Sequence, residues 1–76
     1  MSAPRILLNG SKGRMGQVIT ATAAEFGVPI SAALDVGDKP ADHIAGCDVI
    51  IDFSSHHVTR SLLELAIAHQ KPIVIN

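Results

Sequence analysis

Aromatic residues are nearly absent from this sequence. It has no Trp and no Tyr, and Phe26 and Phe53 are its only aromatic residues. Any core must therefore be aliphatic, and the hydrophobic content of 47% is enough to predict a folded chain rather than a disordered one. With 76 residues, we expect one small domain spanning residues 1–76.

Cysteine and net charge are also scarce. Cys47 is single, which excludes an internal disulfide and fits a reducing compartment, and we expect it to be a small buried apolar residue. The formal net charge of −1 gives no electrostatic reason to bind nucleic acid or an anionic membrane. No apolar run is long enough to span a bilayer, and the N-terminus does not resemble a signal peptide. We expect a cytoplasmic protein with neither nucleic acid nor membrane as a partner.

The remaining pattern alternates strands with helices. Apolar runs predict strands at 5–9, 30–34, 48–53 and 72–75. A helical period over 14–26 places Met15, Val18, Ile19 and Phe26 on one face, with Ala23 at its edge, and Gly27 is a suitable helix end. One helical turn fits between Pro40 and Ala45. Ser54 or Ser55 can cap a second helix, which has Val58, Leu62, Leu65 and Ala66 on one face.

This order predicts an α/β fold with a four-stranded parallel sheet and helices on both faces. The connection between the second and third strands is short, so we place the third strand beside the first and expect the order 2-1-3-4. The first helix then covers the first and second strands, which leaves the third and fourth bare on that face. We therefore expect self-association through strand 72–75 and the uncovered face, rather than a stable monomer.

Three glycines, Gly10, Gly13 and Gly16, stand between the first strand and the first helix. A loop that enters a helix offers free backbone N–H groups and the positive end of the helix dipole, and glycines let an anion approach closely. Lys12 and Arg14 add donors for phosphate. The spacing is one residue longer than the commonest dinucleotide fingerprint, and such a motif alone also occurs in turns that bind nothing.

Asp35 strengthens the case for a nucleotide. It ends the second strand about 20 residues after the last glycine, where an acid accepts hydrogen bonds from a ribose, although a solvated turn aspartate is the alternative. Together, these features predict a Rossmann-like half-fold with a nucleotide site.

Four other polar residues have less specific interpretations. We expect Asp48 to be a solvated turn residue, and Asp52 to be a carboxylate hydrogen-bonded to nearby backbone N–H groups rather than a ligand contact. His56 and His57 are adjacent, so they cannot form a metal pair of the i, i+4 kind, and we predict no metal site. We interpret them as polar first-turn residues, with one histidine facing the crevice as the alternative.

Two segments, NGSKGRMGQ and GCDVIIDFSSHHVT, together with AALD, resemble the N-terminal part of the dihydrodipicolinate reductase family, over essentially the whole chain. The resemblance implies a part in lysine and diaminopimelate biosynthesis. It also implies that the loop, including Met15, binds the pyrophosphate of NADH or NADPH, that Asp35 binds the adenosine ribose, and that Phe53 and Ser54 lie near the nicotinamide. The parent reductase would transfer hydride to a cyclic imine dicarboxylate.

The sequence also departs from the family. Val36 stands where many members have a basic residue for the 2′-phosphate of NADPH, so we expect NADH to bind at least as well. His56 replaces a frequent proline, and the chain ends at Asn76, before the loop and the substrate domain that follow in the family. We therefore expect a truncated cofactor-binding domain with no catalytic residues, inactive alone. The alternative is a structural or designed half-fold that self-associates and binds no nucleotide.

Overall fold

A computed structural model describes residues 3–54 and 56–75, apart from the side chains of residues 56–58. Its elements are four strands, β1 (Ile6–Asn9), β2 (Ile30–Leu34), β3 (Val49–Asp52) and β4 (Ile73–Ile75), and two helices, α1 (Arg14–Glu25) and α2 (His56–Ala68). Two 3₁₀ turns, Pro40–Asp42 and Ile44–Gly46, lie where the sequence predicted one helical turn. The predicted elements are confirmed. β1, β3 and β4 begin one residue later than predicted, and β3 and α1 end one residue earlier.

The strands form one parallel sheet in the order β2-β1-β3-β4, as the short second connection predicted. In the register, Asn9 of β1 is level with Leu34 of β2 and with Asp52 of β3. The carboxyl ends of three neighbouring strands therefore meet at one edge of the sheet.

The main core lies between the sheet and α2 and is entirely aliphatic apart from one cysteine. Its buried members are Leu7, Ala32, Leu34, Ile44, Cys47, Ile50, Leu62 and Ala66. Cys47 is fully buried, as predicted; its Sγ donates to the Ile44 carbonyl oxygen, and burial raises the pKa of the thiol. Leu62, Ala66 and the half-buried Leu65 confirm the predicted inner face of α2. The expectations for Val58, the histidine side chains and a Ser55 cap lie outside the described residues.

Helix α1 lies on the other face of the sheet, and its predicted inner face is confirmed only in part. Gly16 and Ala23 are buried and Ile19 is half-buried, whereas Met15 is 46%, Val18 51% and Phe26 75% exposed. The reason is a backbone contact. Gly16 packs on the backbone of the loop before the helix, which buries Gly16 and Ala23 and leaves Met15, Val18 and Phe26 largely exposed.

Specific interactions mark the C-terminal end of α1 and the start of β3. Gly27 has φ +69, and its N–H and that of Val28 donate to the carbonyl oxygens of Ala24 and Ala23, which closes α1 as a Schellman motif. Asp48, just before β3, is exposed as expected but not simply solvated. Its carboxylate accepts the guanidinium and the backbone N–H of Arg5, which lowers its pKa to about 2.

Burial on the α1 side of the sheet decreases from β1 toward β4. Leu8 is fully buried, Val49 and Ile51 are half-buried, and Val74 is 56% exposed. Among the described strands, β4 is hydrogen-bonded to β3 alone. Among the described residues, neither α1 nor α2 is long and apolar enough to cross a membrane.

We propose that the 76-residue chain self-associates through β4 and through the α1 side of β3 and β4, which is apolar and incompletely covered. An unpaired strand edge beside exposed aliphatic side chains favours pairing with a second chain. Light scattering over a dilution series should give at least twice the mass of one chain at high concentration. Val74→Lys should lower the measured mass toward that of a monomer, whereas Val36→Lys, at a 98% exposed position elsewhere, should not. A folded monomer that persists at high concentration contradicts the proposal.

Candidate nucleotide-binding site

A crevice of about 330 Å³ lies at the edge where β2, β1 and β3 end. This is where open α/β sheets bind ligands, and its size is within the range of small-molecule sites. Its lining comes from the three strand ends and the segments that follow them: Asn9, Gly10, Gly13, Asp35, Val36, Gly37, Asp38, Pro40, Phe53 and Ser54.

The glycine loop, residues 10–13 between β1 and α1, packs closely against residues 53–54 on one side and against α1 on the other. Gly10 has φ +85, and a Cβ there would lie 2.9 Å from the carbonyl carbon of Phe53. A Cβ on Gly16 would lie 2.3 Å from the carbonyl oxygen of Gly10 and 2.6 Å from that of Ser11. Both contacts involve backbone atoms, which cannot give way cheaply. Glycine is therefore required at these two positions by the fold itself.

Gly13 is different from the other two glycines. Its φ is −71, which any residue can adopt, and a Cβ there would meet only the Gly10 carbonyl oxygen, at 3.5 Å. That distance is an ordinary van der Waals contact, so nothing in the described part of the chain requires glycine here. Because Gly13 lines the crevice, a side chain at this position would fill space that an incoming ligand could otherwise occupy.

The N-terminus of α1 opens beside this glycine. Gly13 is the N-cap residue and supplies no side-chain cap, and Gln17 N–H makes the first helical bond, to the Gly13 carbonyl oxygen. The preceding N–H groups of Arg14, Met15 and Gly16 belong to the first turn, where no intrahelical acceptor exists. Such a turn favours an anion, through its N–H groups and the helix dipole together.

Asp35 joins the end of β2 to the glycine loop. One carboxylate oxygen accepts the Val36 N–H at 2.8 Å, and the other accepts the Lys12 N–H at 2.8 Å. These two backbone hydrogen bonds, that of Val36 first, hold the pKa of Asp35 below its usual range, so the group is ionised at neutral pH. Asp38 in turn accepts the Asp35 N–H, at 2.9 Å. A carboxylate in this position can accept further hydrogen bonds from hydroxyls in the crevice.

The structure brings five of the nine residues predicted to bind cofactor to the crevice wall, namely Gly10, Gly13, Asp35, Phe53 and Ser54. Gly16 lies buried beneath the loop. Lys12, Arg14 and Met15 are exposed and are not among the residues that line the crevice. Lys12 does contribute an N–H to Asp35 and a charge that further lowers its pKa.

Of the other lining residues, Val36 was identified from the sequence only as the position of the family's basic residue, and Asn9, Gly37, Asp38 and Pro40 were missed. A signal for three of them existed. Asn9, Gly37 and Asp38 lie at or soon after the carboxyl end of a predicted strand, which is the ligand-binding edge of a parallel sheet, whereas Pro40 lies farther along, in the first 3₁₀ turn. Asp52 precedes the crevice-lining Phe53 in the chain but does not itself line the crevice. Its carboxylate accepts the Ser54 N–H, as expected, and also three side-chain donors that the sequence did not reveal.

Comparison with known proteins finds matches to one family. Residues 24–76 match the family model described as dihydrodipicolinate reductase, N-terminus. A 4-hydroxy-tetrahydrodipicolinate reductase of Akkermansia muciniphila is 42% identical over 71 residues, covering 92% of this chain and 29% of that protein. The enzyme of the same name from Clostridium botulinum is 33% identical over 81 residues, covering 93% of this chain and 32% of that protein.

A third relative has the same relation to this chain. The 4-hydroxy-tetrahydrodipicolinate reductase of Campylobacter jejuni is 40% identical over 72 residues, covering 93% of this chain. In each case the chain spans only about 30% of the curated relative. The glycine loop precedes the segment that matches the family model, but the pairwise alignments include it because they cover more than nine-tenths of the chain. On these findings, the chain belongs to the dihydrodipicolinate reductase family, whose N-terminal part it matches.

Proposed function

We propose that this chain is the NAD(P)H-binding part of a reductase of the dihydrodipicolinate reductase family. The observation that carries the proposal is Gly13, a crevice-lining glycine that the fold does not require. A dinucleotide gives it a purpose, because the pyrophosphate must approach the backbone at the start of α1 closely. The position of Asp35, across the crevice at the end of β2, suits the adenosine ribose.

The remaining residues fit a dinucleotide in the same orientation. With the ribose at β2 and the pyrophosphate above β1, the rest of the cofactor extends toward β3, where Phe53 and Ser54 form the wall. Asp35 both holds the loop through Lys12 N–H and offers lone pairs to a ribose hydroxyl. NAD(P)H would supply the hydride in the complete reductase. The domain of residues 1–76 would bind and orient it.

We expect Gly13→Val to weaken NADH binding at least about tenfold, because its side chain would occupy the approach to the pyrophosphate. NADH fluorescence titration measures this effect. Gly46→Val is the matched control, since Gly46 lies outside the crevice and a Cβ there would have no neighbour within 4 Å. Gly13→Val binding as tightly as the parent chain contradicts the loop assignment, and a parent chain that binds no NADH favours the self-associating fold without a ligand.

The charge at the end of β2 favours NADH over NADPH. Asp35 is ionised and would repel a 2′-phosphate, and Val36 beside it is 98% exposed and provides no cation. NADH should therefore bind at least as tightly as NADPH at fixed ionic strength. Val36→Arg should improve NADPH binding relative to NADH several-fold, whereas Val18→Arg, an exposed position on α1, should not. Tighter NADPH binding by the parent chain contradicts this assignment.

We expect no reduction of 4-hydroxy-tetrahydrodipicolinate by the 76-residue chain alone. Hydride transfer requires donor and acceptor to be held in near-attack geometry. The crevice residues described above are accounted for by the dinucleotide. NADH oxidation followed by absorbance at 340 nm, with protein free of host reductase, tests this expectation. Substrate-dependent oxidation above background, abolished by Gly13→Val, contradicts it.

A further inference from the structure

Asp52 is the buried carboxylate among the described residues, and it is the centre of a small polar cluster. Its side chain is 1% exposed, and the only other buried polar residue in this part of the chain is Asn9. The carboxylate accepts hydrogen bonds from Asn9 Nδ2 at 3.3 Å, Ser54 N–H at 2.9 Å, the Ser54 hydroxyl, and Thr59 Oγ1 at 2.7 Å. A buried charge is tolerated only when it is bonded in this way.

The hydrogen bonds determine the ionisation of this group. Burial is the largest single influence and raises the pKa of Asp52. The bonds from Ser54, Thr59 and Asn9 together outweigh it, and the net pKa lies below the usual range. Asp52 is therefore an ionised acceptor at neutral pH.

The donors come from three different elements around the crevice. Asn9 ends β1, Ser54 follows β3, and Thr59 belongs to the first turns of α2. Asn9 and Ser54 line the crevice, whereas Asp52 does not. Asp52 would thus act on a ligand only through the residues that it holds.

Residues 53–54, which directly follow Asp52, pack closely against Gly10 of the glycine loop. Phe53 N–H donates to the Asn9 carbonyl oxygen at 3.0 Å, and a Cβ on Gly10 would lie 2.9 Å from the Phe53 carbonyl carbon and 3.1 Å from the Ser54 nitrogen. Little space therefore remains between residues 53–54 and the loop. Displacement of residues 53–54 would alter the β3 side of the crevice and leave Asp35, at the β2 side, in place.

We propose that Asp52 is a positioning residue that fixes the β3-side wall of the crevice, and so sets the affinity for the half of a dinucleotide that extends beyond the pyrophosphate. This inference rests on the proposed function, because it takes the crevice to hold a dinucleotide with its adenosine at β2. It assigns Asp52 no contact with the ligand.

Asp52→Asn is the informative substitution, because it retains the shape of the side chain and removes the charge. Three of the four donors bond to Oδ1, and the Thr59 hydroxyl bonds to Oδ2. An amide with its oxygen at Oδ1 retains three neutral acceptor contacts, which are weaker than bonds to a carboxylate, and places its NH₂ at the Thr59 hydroxyl, which must then turn from donor to acceptor. The wall should therefore loosen while the aliphatic core stays intact. Asp48→Asn is the matched control, since Asp48 lies at the opposite end of β3, is exposed, and is paired with Arg5.

The experiment compares NADH with ADP, which carries the adenosine and pyrophosphate but lacks the second half of the dinucleotide. With Asp52→Asn, NADH should bind about tenfold more weakly and ADP within about twofold of the parent chain, with circular dichroism unchanged. Asp48→Asn should leave both affinities within about twofold. Unchanged NADH binding, or an equal loss of NADH and ADP, overturns the inference.

A second variant keeps the test decisive if Asp52→Asn does not fold. Thr59→Val removes one donor to the carboxylate with little change in volume, and it should weaken NADH about threefold while sparing ADP. Equal effects on the two ligands, or none, overturn the inference. A parent chain that binds neither ligand overturns the proposed function and this inference together, whereas a parent that binds both isolates the role of Asp52.

Discussion

The close contact between Gly16 and the glycine loop is the constraint on which the rest of the site depends. A Cβ on residue 16 would lie 2.3 Å from the Gly10 carbonyl oxygen, so only glycine allows α1 to pack this closely against the loop. The contact sets the rotation of α1, which is why Gly16 and Ala23 are buried and Met15 and Val18 are not. It also brings the first turn of α1 to the end of β1, beside the ends of β2 and β3.

Two ionised carboxylates hold the opposite sides of the crevice by different means. Asp35 lies at the end of β2 and ties the loop through Lys12 N–H while its carboxylate remains accessible to a ligand. Asp52 ends β3 but is buried, and its oxygens accept hydrogen bonds from the protein itself. Aspartates at the ends of the two strands that flank β1 therefore have different environments. The first suits recognition of a polar ligand, and the second suits rigidity of the wall.

The sequence was most informative where a pattern has one structural solution. Alternating strands and helices predicted the parallel sheet, and the short connection before β3 predicted its position beside β1. It was least informative about α1, because helical periodicity identifies an apolar stripe but not which edge of that stripe meets the sheet. Nor does spacing along the chain disclose that Lys12 and Arg14 do not line the crevice, since loop geometry determines which residues of the loop meet it.

The sequence by itself determined the α/β class, the strand order, the three-glycine loop before a helix, and the acid at the end of the second strand. These follow from local preferences and from rules of chain connection, which act over short segments. Only the tertiary structure decided that, among the residues it describes, none requires glycine at position 13, whereas close backbone contacts require it at positions 10 and 16. It alone also placed the Asp52 carboxylate among donors from β1, the turn after β3, and α2. The physical reason is that steric contact and hydrogen bonding between distant segments depend on distances of a few tenths of an ångström, which are set only when the sheet and helices pack together.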